Sequence, residues 1–244
     1  MLTHEPLLQL QRDLYDGERG FKRFKTYIET LRDPETGDMA LPLPMMNPMG
    51  KEHIPALLDE YLEMNVDNKI GAMVDSIAAD QSLRLDEFKT ALVLADDALG
   101  GWTQRTLSEF NHRTQSKPMF RRGWLVGLLW TSEAASVEAA EIAIKETIYR
   151  GTWIHECGFA DTLQEIMAQE GYAQSKAGRV PHIDKDDLIY TKEVLEPMLT
   201  TGDQPTLVAA LYGDAAAEEL GYPKLGLSPK AGLELALAQA LHKI

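Results

Sequence analysis

The stretch "FRRGWLVGLLW", residues 120–130, carries no charge from Gly123 onward, and how it is read decides the fold. So short an apolar run fits a buried strand or a buried piece of helix, because too few positions are present to show a period. Its surroundings read as helical, so a buried helix segment is expected. Just upstream, Leu85, Phe88, Leu92, Ala95, Leu99 and Trp102 recur at alternating steps of three and four. That spacing predicts an amphipathic helix over 85–102, with Gly100 and Gly101 as a point where it could break.

Working outward, 51–64 ("KEHIPALLDEYLEM") and 68–79 also read as helices. Residues 136–149 are rich in good helix formers, with Ser136 as N-cap. The last 17 residues begin "SPKAG", which predicts a helix capped by Ser228 with Pro229 in its first turn. Strand-like alternation is nearly absent. The expectation is an all-α, helical-bundle-like single domain over 1–244, of about eight to ten helices given boundary uncertainty. Residues 180–244 form a candidate C-terminal helical subdomain.

Residues 34–50, "PETGDMALPLPMMNPMG", hold four of the twelve prolines and four of the ten methionines. Such proline density forbids a regular helix, and Pro42 and Pro44 hold their neighbours extended. The segment is too apolar for a solvated linker, so a long loop lying across the core is expected. Its methionines fill irregular gaps; binding of a soft metal, or service as a lid or partner-docking segment, are the other readings.

The net charge is −14, from 24 Lys and Arg against 38 Asp and Glu. Such a surface repels phosphate backbones and anionic headgroups, so neither nucleic acid nor membrane is an expected partner. Basic residues cluster only at Lys22, Arg23 and Lys25 and at Arg121 and Arg122. A single cysteine suits a reducing compartment, and the opening "MLTHEPLLQLQRD" lacks the pattern of a secretory signal. A cytoplasmic, soluble protein is expected.

The chemistry-bearing residues concentrate in "RGTWIHECGFAD", 150–161. The apolar stripe of the preceding helix steps through Ile144, Ile148 and Gly151 to His155, which predicts an inward imidazole with Glu156 at the stripe's edge. A buried imidazole needs a hydrogen-bonding partner or a metal. "HECGF" is not the zinc-protease pattern H-E-x-x-H, because its fifth residue is Phe159; "HEPLL" at 4–8 fails in the same way. Cys157 and His155, at i and i+2, point apart on a helix, which argues against a nucleophile–base pair. Glu109 and His112 form an E-x-x-H pair whose spacing is the one used in di-iron bundles, but a second such pair is missing. An exposed ladder of Arg105, Glu109 and Arg113 accounts for the same residues without a metal. "HIDKDD", 182–187, reads as Asp184 capping a helix whose first turn carries Asp186 and Asp187.

Three functions are therefore open. The first is a metal-dependent enzyme in which Glu109, His112, His155 and Glu156 hold iron, manganese or zinc, with His53 or His182 completing the site. The second is a non-catalytic helical module that binds a protein partner or forms a homo-oligomer. The third is metal-free binding of an organic ligand in an apolar cavity lined by Trp102, Trp124 and Trp153.

Overall fold

In the computed structural model, which describes residues 1–80, 83, 85, 87–98 and 102–244, the run that decides the fold is a strand. In chain order the elements are β1 (Thr3–His4), α1 (Leu8–Asp13), α2 (Phe21–Leu31), α3 (His53–Glu63), α4 (Val66–Ala78) and β2 (Lys89–Ala95). There follow α5 (Arg105–Thr114), α6 (Lys117–Arg121), β3 (Trp124–Trp130), α7 (Val137–Cys157), α8 (Leu163–Lys176) and α9 (Lys185–Leu195). A 3₁₀ turn (Glu196–Met198), α10 (Gln204–Tyr212), α11 (Asp214–Glu219) and α12 (Ala231–Ala240) close the chain. The protein is mostly helical but not purely α: the strands form a parallel sheet in the order β1-β2-β3.

The helix expected over 85–102 is thus replaced by β2, and the helix expected at 120–130 by α6 and β3. Strands covered on both faces lose the polar alternation that betrays a strand and become continuous apolar runs. Six of the seven residues of each strand are buried. The alternating steps of three and four through Leu92 and Ala95 were therefore a coincidence of an all-apolar run; Leu99, Gly100 and Gly101 lie outside the described residues. Gly127 sits in mid-β3 because α7 lies against it: a Cβ there would stand 2.9 Å from Ile144 Cδ1 and 3.1 Å from Leu92 Cδ2.

The chain divides into two compact units, residues 1–105 with 118–147, and 106–117 with 148–244. In the first, β1 pairs with β2 only at Thr3 and His4, leaving β2's edge open beyond Thr90. Gln11 of α1 closes it. Its amide donates to Leu92 O (2.8 Å) and accepts from Leu94 N (2.9 Å), as a neighbouring strand would. His4 bridges the sheet to α4, with Nε2 at 3.0 Å from Asp67 and Nδ1 at 3.0 Å from Thr90 Oγ1. Residues 34–50 are the expected long loop, with Leu43 and Met46 buried. The Tyr27 hydroxyl donates to Leu43 O (2.9 Å) and the Tyr15 hydroxyl to Asn47 O (2.5 Å), anchoring it to α2 and the end of α1.

In the second unit, α8, α10 and α12 surround a core that includes Leu163, Ile166, Leu207, Leu211, Leu233 and Leu235. A Cβ on Gly171 of α8 would collide with Ala236 O, so glycine lets α8 and α12 touch backbone to side. The caps expected at Ser136 and Asp184 are present: Ser136 Oγ accepts from Ala139 N (3.2 Å) and Asp184 from Asp187 N (2.9 Å). The last helix begins later than "SPKAG" suggests. Ser228 O instead closes a turn on Ala231 N (3.1 Å), and Lys230 adopts a left-handed conformation (φ 59°) with its N–H on Tyr212 O. Among the described residues, no helix is long and apolar enough to cross a membrane.

Candidate functional site

Acids cannot continue a strand buried on both faces, so β2 ends where "ALVLA" gives way to Asp96 and Asp97. Register pairs Ala95 with Trp130, which sets Asp96 and Asp97 beside Thr131 and Ser132 at the carboxyl edge of the sheet. That edge is where open parallel sheets place their ligands, because the loops beyond the strands are free to carry polar groups. The first turn of α3 brings His53 to it, and the Pro/Met loop brings Asn47.

Asp96 is the centre of this cluster, its side chain only 3% exposed. Its Oδ2 accepts from Asn47 Nδ2 (2.7 Å), and its Oδ1 from Thr131 Oγ1 (2.9 Å), with His53 Nε2 at 3.0 Å. Burial pushes its pKa up, but the hydrogen bonds of His53, Asn47 and Thr131 and the charge of His53 outweigh that and hold it below the ordinary aspartate value. Asp96 is therefore an anion near neutral pH, and an anionic carboxylate only accepts. Nε2 of His53 is therefore the ring nitrogen that donates to it, and whenever the ring is neutral Nδ1 is the one that offers a lone pair. That Nδ1 is buried and has no hydrogen-bond partner among the described residues.

Asp97, also 3% exposed, is neutralised. It accepts from Arg105 Nη1 (3.2 Å), from Ser132 N (2.9 Å) and from Ser132 Oγ (2.7 Å). Arg105 also bonds Glu133 and lies 4.9 Å above the Trp130 ring. Asp97 thus ties the start of α5 to the end of β3, and Asp96 presents His53.

The metal ligands expected from the sequence are not gathered. His155 and Glu156 are exposed, because burial on α7 stops at Ile154 and Gly158 (φ 86°) ends the helix one turn later. The stripe through Ile144, Ile148 and Gly151 is buried as read, but the turn carrying His155 projects past the packed layer. Glu109 does turn inward; its side chain is 13% exposed, with Lys230 Nζ at 3.9 Å, and His112 is half-buried on the same helix. Among the described residues, no group of three or more His, Cys, Asp or Glu side chains is placed to hold a metal ion. His182 and Cys157 are exposed. Arg113 leaves the expected ladder to meet Glu170.

Of the tryptophans, Trp102 is exposed, and Trp153 is half-buried with its ring 5.7 Å from that of Tyr172. Trp124 is buried on β3, under Lys89. Asp96, Asn47 and Thr131 were missed as site residues because they become conspicuous only once β2 and β3 are recognised as strands. A pair of acids and a Thr-Ser pair, each directly after an apolar run, was the available signal.

Comparison with protein-family models, with curated proteins and with solved structures returns no match to this chain.

Proposed function

We propose that the protein is an enzyme that moves a proton through His53, with Asp96 as the carboxylate that positions the ring. The observation that carries this is the buried, unpartnered Nδ1 of an imidazole whose Nε2 is held by an anionic carboxylate at the carboxyl edge of a parallel sheet. An unsatisfied buried acceptor costs about 1–3 kcal/mol, which a purely structural histidine would avoid by finding a donor. The same carboxylate stabilises the imidazolium formed once Nδ1 takes a proton, which is the division of labour in histidine–carboxylate catalysis. Both oxygens of Asp96 are already occupied by donors, so the acid supports a base more readily than it ligates a cation.

The test is a turnover screen of the wild-type protein against a small-molecule extract, read by mass spectrometry. His53→Gln is expected to lower any conversion found by roughly 10²–10⁴-fold, the usual worth of general acid–base catalysis, at unchanged melting temperature. A conversion that proceeds undiminished in His53→Gln removes the proposal. Elemental analysis separates it from the competing proposal of an iron, manganese or zinc centre at Glu109, His112, His155 and Glu156. Stoichiometric metal that disappears in His155→Ala would favour that centre instead.

A further inference from the structure

The second unit contains a cavity of about 280 Å³ between α8, α9 and α12, independent of the His53 cluster. Its floor is apolar, built from Met167, Leu195 and Leu235, and Gln239 stands at its rim. Lys192 and Glu196 complete the wall from one side. They are four residues apart across the end of α9, the spacing at which opposite charges usually meet. Here they do not: both are exposed, their backbones are joined by the Glu196 N–H on Lys192 O, and neither side chain has a hydrogen-bond or ion-pair partner among the described residues. One cation and one anion thus line the same small cavity above an apolar floor.

We infer that this cavity binds a free apolar α-amino acid. Its carboxylate meets Lys192, its ammonium meets Glu196, and its side chain rests on Met167, Leu195 and Leu235. The argument is charge complementarity at short range. An apolar acid would leave Glu196 facing it unanswered, and an apolar amine would do the same to Lys192. Only a ligand carrying both charges answers the two ends together, and in a free α-amino acid they sit on one carbon, whereas a peptide's terminal charges are separated by its length. Lys192 is N-terminal to Glu196, the weaker order for a helical ion pair, so a ligand displaces little by entering. The volume suits a side chain the size of leucine or methionine.

The experiment is calorimetric titration of the full chain with L-leucine, alongside leucinamide (no carboxylate) and 4-methylvalerate (no ammonium). Saturable leucine binding with a Kd of about 1 mM or tighter is expected for a ligand of this size. Each analogue, and each of the surface variants Lys192→Gln and Glu196→Gln, should bind about tenfold more weakly or worse. Leucine binding that both variants leave unchanged overturns the inference, as does the absence of saturable binding by leucine, methionine and phenylalanine alike. Equal affinity for 4-methylvalerate would reassign the site to simple apolar acids and overturn it too. His53→Gln serves as a control and is expected to leave the titration untouched.

Discussion

Gln11 does with one side chain what a strand does with its backbone. Because β1 is only two residues long, Leu92 O and Leu94 N of the central strand would be buried and unpaired without it. Gln11→Leu fills the same space and supplies neither group, so it should lower stability by about 2–5 kcal/mol, seen as a shift in the denaturant midpoint. Glu170 is the second such residue. Fully buried, it takes two bonds from Arg150 (2.6 and 2.9 Å) and another from Arg113. Burial pushes its pKa up, but the two guanidinium charges and their hydrogen bonds bring it from 4.5 to about 2. A carboxyl depressed on folding stabilises the fold above its unfolded value, and that contribution is lost as pH falls from about 4.5 toward 2. Glu170→Gln should therefore flatten the pH dependence of unfolding in that window. It should also cost about 3–5 kcal/mol at neutral pH, by removing the carboxylate that faces the buried guanidinium of Arg150.

Glycines set how closely the elements approach. On β3, Gly127→Ala presses a methyl group onto Ile144 Cδ1, which overpacking raises to a cost of about 1–3 kcal/mol. Ile144→Val removes that δ carbon, so the double substitution should be less damaging than the sum of the two singles by equilibrium unfolding. Between α8 and α12 the obstacle at Gly171 is the Ala236 carbonyl, which cannot rotate away as a side chain can. Gly171→Ala should accordingly be at least as destabilising as Gly127→Ala, and thermal melting of the two variants side by side checks the order. The same elements show what was legible beforehand. α3 and α4 present one apolar face each and read as helices from sequence, and α9 is announced by its Asp184 cap and the acids of its first turn. β2 and β3 have no polar face, and periodicity says nothing about them.

At the level of the whole molecule, a net charge of −14 sets the electrostatic background. Mutual repulsion among excess carboxylates opposes compaction and is screened once the Debye length falls from about 30 Å at 0.01 M salt to about 8 Å at 0.15 M. The melting temperature should rise over that range, by about 2–4 °C for each kcal/mol of repulsion relieved. A fall on adding sodium chloride would show that attractive ion pairs, such as Arg12 with Asp16 and Asp59, dominate instead.

Local chemistry alone determined the helical elements with one apolar face, the caps at Ser136 and Asp184, and the Pro/Met loop, because each depends on residues within a turn or two of one another. Tertiary structure decided the rest. Whether "WLVGLLW" is helix or strand depends on finding "ALVLA" as a partner 35 residues away, and hydrogen bonds between strands leave no trace in either run alone. The surroundings of His155 and His53 were decided in the same way. One rides past the end of its packed layer, while the other lands beside an aspartate 43 residues later, since burial depends on what packs nearby rather than on a residue's place in a stripe.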